Sequence, residues 1–559
     1  TPAMASTTPQ PDYSTWSAEQ LIQRVTELEK KLKEQNAHFS PPAPTAPSPT
    51  APAPNAPPTD PQTSSANPLP PNKPKPRKRY NPSKYSTRLI ALKFAYLGRP
   101  YNGYEYHANN PTPLPTIEEE LWKALVKTRL IFPDSVARSG LLEGGRDAAD
   151  RFDAAVREGR VQLDWEGCEY SKCGRTDRGV SAFGQVVGIR VRSARPVGRE
   201  AVPPVEDAEE VDPELPVGIA EEDPPFDPVA DEIPYIALLN KNLPPSIRVL
   251  AWCPDLPPNF SARFNCKERR YRYFFTAPAF LPIPGQAGLV SDPSSMGGGR
   301  RRDGWLDIEA MREAAAYLVG SHDFRNFCKV DPSKQIESFV RRISAAGIEF
   351  VSEDSRPAFV TDAALAPVLG QAKGHKLQLF AFSVKGSAFL WHQVRCMVAV
   401  LFLVGQGLER PDVVRRLLDV EAMPCRPKYE MASDAPLVLW ECAFSASESK
   451  RNDADAPPGH WDRGQGEDEL VWVEAGQEAA KGSLGLSGKW ARNGIVEDLW
   501  RGWRGAKMDE VLAGQLLDLV GRKVFDGDAG AKSKGRYVPI MEKERMEAVG
   551  VINARWAAK

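Results

Sequence analysis

A single carboxylate in a cationic loop is the first feature of this sequence that could do chemistry. Residues 172–187, KCGRTDRGVSAFGQVV, place Asp177 between Arg175 and Arg178, with a glycine close on either side. The glycines allow a tight turn and the close approach of a ligand backbone, and the arginines suit phosphate contact. Taken alone, the motif has a second interpretation, in which Asp177 caps a structural loop and both arginines are solvated.

Several other kinds of site are not indicated by the sequence. The segment lacks the GxxxxGK[ST] pattern of a nucleotide P-loop, and no second acid lies close in sequence as a two-carboxylate glycosidase signature requires. The chain has 8 cysteines, which are scattered without a CxxC pair. This spacing argues against a zinc site and predicts reduced thiols, as in a cytosolic or nuclear protein.

A second segment, residues 261–275 (SARFNCKERRYRYFF), interleaves basic and aromatic side chains. A single-stranded or flipped nucleotide needs both, since cations contact its phosphates and rings stack on its bases. The alternative is an edge strand with a solvated cationic face and with its aromatic side chains in the core. The side chains concerned are Arg263, Phe264, Lys267, Arg269, Arg270, Tyr271, Arg272 and Tyr273.

A third segment, residues 384–395 (VKGSAFLWHQVR), ends with Arg395 on an otherwise apolar helix. A buried arginine needs a partner, and a carboxylate such as Asp177 would fit. The alternative is a local ion pair that only braces the helix. His392 lies beside Arg395, and we expect it to be a structural histidine rather than a catalytic one.

These segments, together with GSHDFRNF at residues 320–327, occur in the order found in TruA-type tRNA pseudouridine synthases. The chain resembles the eukaryotic branch of that family, which acts on uridines 38 and 39 of the anticodon stem-loop. The resemblance covers residues 87–444 in pieces. One departure is Ser181, where bacterial members usually have histidine; it matches the eukaryotic branch and leaves the expected nucleophile in place.

The resemblance implies roles for five residues. Asp177 would be the catalytic aspartate, and Arg175 would enter the space left by the flipped uridine. Tyr271 would stack on the target uracil. Arg395 would pair with Asp177, and Leu437 in APLVLW would line the pocket. The resemblance also implies tRNA as substrate, a homodimer, and no metal ion or other cofactor.

The chemistry of this reaction explains why one acid suffices. A uracil must leave C1′, rotate and rejoin through C5, with no redox change and no net hydrolysis. One ionised carboxylate can serve as a nucleophile at the sugar or as a base at C2′, and both remain open. The base must first leave the stack, at a cost of roughly a few kcal/mol. A charge-assisted hydrogen bond from Arg395 would keep Asp177 ionised.

The spacing of apolar residues predicts the strands and helices that hold the candidate site residues. Alternating apolar residues predict strands at 87–98, 269–275, 341–351 and 376–386, and helical patterns cover 116–128, 307–320 and 389–407. Thr116 is the predicted N-cap of the first helix, with Glu119 as capping-box partner. We therefore predict an α+β fold with two similar mixed α/β domains, whose antiparallel sheets flank a basic cleft.

The segments outside these patterns set the domain boundaries. Residues 41–62 are a Pro/Ala/Thr linker, and residues 205–232 are an acidic, Pro-rich insertion, in a chain of 559 residues with net charge −1. We predict an N-terminal arm, a first synthase domain with the catalytic loop, a second synthase domain, and a partly disordered C-terminal extension. Their ranges are 1–84, 85–258, 259–446 and 447–559.

The N-terminal arm has two features with open interpretations. Leu21, Val25, Leu28 and Leu32 form a seam of about two heptads, which is either a weak dimerising helix or a solvated one. Residues 72–88 are basic without an acid and could be a solvated flank, a phosphate-binding arm or a nuclear address.

The sequence also bears on where the protein acts and on which other functions it could have. No apolar run approaches the ~20 residues of a membrane span, and no secretory signal opens the sequence. We expect location in the nucleus and/or cytoplasm. The alternatives to an enzyme are a catalytically silent tRNA-binding or chaperone protein on the same scaffold, and a scaffold that recruits partners.

Overall fold

The computed structural model describes residues 84–108, 112–142, 147–196, 226–277, 279, 306–352, 378–444, 470–477, 494–521 and 537–559. The chain divides into two units, Thr1–Arg77 and Lys78–Lys559. The predicted seam at 17–35, the linker at 41–62 and residues 205–225 of the acidic insertion predicted at 205–232 lie outside the described residues. In the described part, none of the helices has the length and apolarity needed to cross a bilayer.

Ten strands form one sheet in the order β10-β4-β1-β3-β9-β5-β8-β7-β6, with the short β2 paired to β3. All pairings are antiparallel except that of β3 with β9. The strands are β1 Thr87–Tyr96, β2 Ser171–Lys172, β3 Ser181–Arg192, β4 Ile247–Cys253, β5 Glu268–Ala277, β6 Gly320–Asp323, β7 Val340–Ser352, β8 Gln378–Gly386, β9 Leu437–Ala443 and β10 Val473–Glu474.

The described residues also form nine α-helices. They are α1 Ile117–Lys127, α2 Asp134–Ser139, α3 Ala148–Arg157, α4 Tyr235–Asn240, α5 Ile308–Ala316, α6 Gln393–Gly405, α7 Val413–Leu418, α8 Ile495–Gly521 and α9 Val549–Ala557. A mixed α/β fold with a mostly antiparallel sheet was predicted and is confirmed.

Local signals explain where several of these elements begin. The side chain of Thr116 accepts a hydrogen bond from the Glu119 backbone N–H, so the predicted N-cap of α1 is confirmed. The predicted helix at 307–320 begins as expected, with Asp307 capping α5, but it ends earlier. The helix ends at Ala316, and Gly320, with φ +118°, starts β6 instead of ending the helix.

The core consists of two hydrophobic clusters on the shared sheet. The first surrounds α1 and β1, with Phe94 and Trp122 fully buried, and the second surrounds α5 and α6, with Met397 fully buried. Leu439 of β9 belongs to the first cluster and Val180, just before β3, belongs to the second. The part of the chain around the first cluster is called the first half below, and the part around the second cluster is called the second half. The two halves share one continuous sheet rather than two separate ones, and they join at the β3–β9 pair.

Candidate active site

Asp177 lies in the loop between β2 and β3, at the centre of the sheet where the two halves join. The loop closes in a turn in which the Val180 N–H donates to the Asp177 carbonyl at 3.1 Å. β3 then begins at Ser181, which pairs with Val438 of β9. The Asp177 loop is thus attached directly to strands of both halves.

Buried polar contacts hold this loop from the side of the first half. The Tyr96 hydroxyl is hydrogen-bonded to the Thr176 hydroxyl at 2.7 Å. Gln185 binds Gly174 twice, donating to its carbonyl at 2.9 Å and accepting from its N–H at 3.2 Å. Since these groups are buried, each contact replaces one that water supplied in the unfolded chain, and together they fix the position of the loop.

Gly179 shows why the loop needs glycine beside its acid. Its φ is +79°, and a Cβ at this position would come within 2.8 Å of the Asp434 carboxylate. A side chain here would be strained by the backbone and would also displace Asp434. The glycine therefore allows a second acid, Asp434, to approach the Asp177 loop.

Two neighbouring aromatic side chains contact the carboxylate of Asp177. The indole N–H of Trp391 donates to Oδ1 at 3.1 Å, and Nε2 of His392 lies 3.5 Å from Oδ2. The rings of Trp391 and His392 lie 4.7 Å apart, centroid to centroid. On the other side, Nζ of Lys329 lies 4.5 Å from the centre of the Trp391 ring.

His392 adopts a backbone conformation that is rare for this residue type. Its φ is +61° and its ψ is 12°, in the left-handed region, immediately before α6. Such a conformation costs roughly 1–3 kcal/mol and persists where the surroundings impose it, which is common at functional sites. In the described part of the chain, its buried Nδ1 has no hydrogen-bond partner. The turn that carries Trp391 to Asp177 is thus strained.

The charge state of His392 decides the nature of its contact. Burial, followed by the positive charges of Arg395, Lys329 and Arg426, lowers the pKa of His392 to about 4. The imidazole is therefore neutral at neutral pH, so its approach to Asp177 is not an ion pair. The sequence-based expectation of a structural histidine did not include this contact.

Arg395 lies near Asp177 without a direct bond to it. Its Nε donates to the Ala432 carbonyl at 2.8 Å. Burial raises the pKa of Asp177 above its ordinary value and the charge of Asp434 adds to this, while Arg395, the Trp391 hydrogen bond and Lys329 oppose it. A direct pairing was expected, but Arg395 acts on Asp177 through the longer-range effect of its charge.

The other predicted site residues are placed around the same loop. Tyr271 lies in β5 against the edge of Phe389, with ring centroids 5.0 Å apart, and burial raises its pKa. Leu437 is buried and begins β9. Arg175 is half-exposed and pairs with Glu105 at 3.1 Å. Tyr271 and Leu437 flank the loop from neighbouring strands, whereas Arg175 points to a partner in the first half.

The expectation that the arginines of residues 261–275 serve phosphates is wrong for two of them. Arg270 and Arg272 are buried, and both pair with Glu349, at 3.3 and 2.7 Å. β5 is an interior strand between β9 and β8, so its cationic face is covered instead of solvated. Arg269 is also engaged, donating to backbone carbonyls such as Cys173 at 3.0 Å.

Sequence reasoning missed Trp391, Lys329 and Asp434 as site residues. Trp391 was hidden within an apolar helical pattern, although a tryptophan next to a histidine and a glycine-flanked turn was an available signal. Lys329 and Asp434 are distant in sequence and carry no motif. Their approach to Asp177 depends on the fold alone.

The arrangement as a whole offers one reactive group. Asp177 is partly exposed, with 28% of its side chain accessible. The Trp391 N–H donates to its carboxylate, and the cations Arg395 and Lys329 lie near it without a direct ion pair. A carboxylate of this kind can attack an electrophilic carbon or remove a proton. Tyr271 supplies an aromatic face beside it.

Comparison with known proteins shows which family the chain resembles. A family model described as tRNA pseudouridine synthase matches residues 314–445. The chain is 33% identical to the Saccharomyces cerevisiae tRNA pseudouridine(38/39) synthase over 549 residues, which is 98% of this chain and 92% of the yeast protein. It is 37% identical to the human tRNA pseudouridine(38/39) synthase over 371 residues, or 66% of this chain and 58% of the human protein.

A more distant relative has the same type of name. The tRNA pseudouridine synthase A of Methanosphaerula palustris is 29% identical over 287 residues, covering 50% of this chain and 67% of that protein. The match to the yeast protein extends over nearly all of both chains, and the family model covers α6 and β9 beside Asp177. The chain belongs to the tRNA pseudouridine synthase family.

Proposed function

We propose that this protein isomerises uridine to pseudouridine at positions 38 and 39 of the tRNA anticodon stem-loop, with Asp177 as the catalytic residue. The observation that carries the proposal is the position of Asp177, in a glycine-flanked loop at the junction of the two halves and hydrogen-bonded to Trp391. The names of the yeast and human relatives support the choice of positions.

The mechanism requires Asp177 to be ionised when the flipped nucleotide arrives. The carboxylate then attacks C1′ as the C1′–N1 bond breaks, forming an ester, or removes the proton at C2′ as the same bond breaks, forming a glycal. The released uracil anion turns and its C5 bonds to C1′, with loss of the ester or with return of the proton to C2′. The proton on C5 is then removed and N1 is protonated, so the product is an isomer of the substrate. Burial opposes ionisation, while Arg395 and Lys329 favour it through their charge. The Trp391 N–H orients Oδ1, whereas Oδ2 has only the longer 3.5 Å approach of the neutral His392 ring, which the sugar would displace.

Tyr271 and Arg175 would offset the cost of extracting the base. Tyr271 now packs edge-on with Phe389, and it stacks on the uracil when the substrate is bound. Arg175 is half-exposed and exchanges its contact with Glu105 for the vacated stack or for phosphate. Leu437 supplies an apolar wall, since it is buried at the start of β9.

Phosphate contacts come mainly from exposed cations. Lys329 is exposed at a pocket that Arg325 and Arg426 also line, although Arg325 pairs with Asp323 and Arg426 donates to backbone carbonyls. Arg263 and Lys267 are exposed just before β5. These groups can receive the backbone on either side of a flipped uridine.

The discriminating experiment incubates the protein with tRNA that contains uridine at 38 and 39 and measures pseudouridine at each position. An enzyme converts uridine, and Asp177→Asn abolishes conversion. A silent tRNA-binding or chaperone protein would bind the same tRNA without converting it, and that result would overturn the proposal.

Assembly and location are part of the same proposal. We infer a homodimer held mainly by the folded core, because a seam of about two heptads is too short to hold two chains by itself. Sedimentation of the full-length Leu28→Asp protein tests this, since the dimer should persist. A protein that modifies tRNA and has reduced thiols would act in the nucleus and/or cytoplasm.

A further inference from the structure

Three cysteines from distant parts of the chain meet beside the catalytic loop. Their sulfur atoms all lie within 4.8 Å of one another, and all three side chains are buried. Cys173 opens the loop that carries Asp177, Cys266 precedes β5, and Cys442 lies in β9. We propose that Cys173, Cys266 and Cys442 form a binding site for a thiophilic metal ion, with Zn²⁺ as the ion that suits them best.

The geometry requires little movement of the side chains. A Zn–S bond is about 2.3 Å long, so three sulfurs on one ion lie about 4 Å apart. The sulfurs here are already within 4.8 Å of one another. Small rotations about the Cα–Cβ bonds would close the remaining distance. All three thiols are free, so none is committed to a disulfide.

The charge around the sulfurs also suits a divalent cation. Arg269 donates to the Cys173 carbonyl through Nε at 3.3 Å and Nη2 at 3.0 Å, and it lies opposite Cys442 in the β5–β9 ladder. Three thiolates around Zn²⁺ carry one net negative charge, which the guanidinium offsets. A buried net charge without such a partner would be costly.

The ligand set indicates which metal chemistry to expect. Thiolates prefer soft or borderline ions over Mg²⁺ and Ca²⁺, which favour oxygen. Among the described residues, no fourth histidine, cysteine or carboxylate joins the group. A small ligand such as water or an exogenous thiol would complete a tetrahedral site. Binding of Zn²⁺ is therefore expected to release the thiol protons. Because protons compete with the metal for the sulfurs, the affinity for Zn²⁺ should increase as pH rises.

The position of the site suggests a structural role. An ion here would connect the start of the Asp177 loop with the strand of Tyr271 and with the strand that Leu437 begins. It would act on the loop together with the Tyr96–Thr176 and Gln185–Gly174 contacts. The inference does not depend on the proposed reaction, since any use of this loop requires its position to be fixed.

The test compares two matched serine variants of the full-length protein. Cys266 is the ligand to be changed; its Sγ lies 3.3 Å from the carbonyl oxygen of Glu268, two residues ahead. Cys253 is the control, because it is buried in the same core and its Sγ lies 3.2 Å from the Asp255 carbonyl oxygen, also two residues ahead. Each protein is purified in reducing buffer, exchanged by gel filtration and analysed for bound metals.

The proposal predicts about one zinc ion per chain in the wild type and in Cys253→Ser, and at least a tenfold lower content in Cys266→Ser. Equal zinc in both variants, or none in the wild type, would overturn it. Because Cys266→Ser could fail to fold, Co²⁺ is also titrated into chelator-treated wild-type protein. A thiolate-to-cobalt charge-transfer band is expected, and its absence contradicts the site. Zinc bound without pseudouridine formation would overturn only the proposed function.

Discussion

The indole N–H of Trp391 donates to Oδ1 of Asp177 at 3.1 Å, across 214 positions of sequence. Trp391 reaches that position because the next residue, His392, turns the chain in the left-handed region before α6 begins. Asp177, which its sequence motif predicts to be reactive, is therefore oriented by Trp391, which no motif predicts as a site residue. The relationship leads to direct tests of how the site is organised.

Trp391→Phe should reduce the rate of conversion by on the order of tenfold, since it keeps a ring and removes one hydrogen bond to a charged group. The same change should move the acid limb of the pH–rate profile to higher pH, because the lost donor had lowered the pKa of Asp177. Trp252→Phe is the control, since the Trp252 indole nitrogen has no partner in the described part of the chain. An unchanged profile in Trp391→Phe would leave the indole with a packing role only.

The pH dependence follows from the raised pKa of Asp177. The active form is ionised, so the single-turnover rate should fall as pH drops through a pKa above the ordinary value of about 3.9. Asp434→Asn removes a negative charge that raises this pKa and should move the acid limb down, while Lys329→Gln should move it up. Shifts in the opposite directions would show that Asp177 is not the titrating group.

Glu349 is expected to be important for stability. It pairs with both Arg270 and Arg272, and all three side chains are less than 10% exposed. Glu349→Gln removes the carboxylate charge that both buried guanidinium groups share and should lower the free energy of unfolding by about 3–5 kcal/mol. The control is Glu497→Gln, which removes an exposed pair with Arg501 and should cost about 0–1 kcal/mol. Equal denaturant midpoints for the two variants would contradict this assignment.

The salt dependence of tRNA binding should reflect the corrected set of cations. Affinity should fall with salt with a log–log slope of several units. Replacing the exposed Arg263 and Lys267 by glutamine should reduce that slope by about two units if each contacts a phosphate. A slope that stays the same in this variant would remove the segment before β5 from the RNA interface.

Much of this organisation was predictable because it is local. The cap of α1 at Thr116 depends on a few neighbouring residues, and the strands β1 and β5 were predicted from the alternation of their side chains. The reactive loop was likewise recognisable from glycines and arginines around one acid. Motifs of this kind predict the same local structure wherever the segment lies in the fold.

The features that were missed depend on which segments become neighbours. Alternation placed Arg270 and Arg272 on one face of β5, but only the sheet order shows that this face is covered and contains Glu349. The spacing of the cysteines argued against a metal site, yet Cys173 and Cys442 meet through the sheet. Contacts between residues hundreds of positions apart leave no periodic signal in a single sequence.

Asp177→Asn tests the central claim most directly, because it keeps the size of the side chain and removes its charge. Since the folded-state pKa of Asp177 lies above its ordinary value, the ionised carboxylate costs stability as pH rises through these values, so the variant should melt no lower than the wild type at neutral pH. The measurement is a single-turnover assay of uridine conversion at positions 38 and 39 of full-length tRNA, beside a binding titration. We expect conversion at background with tRNA binding retained. Substantial conversion by Asp177→Asn would contradict the role of Asp177 as the catalytic residue.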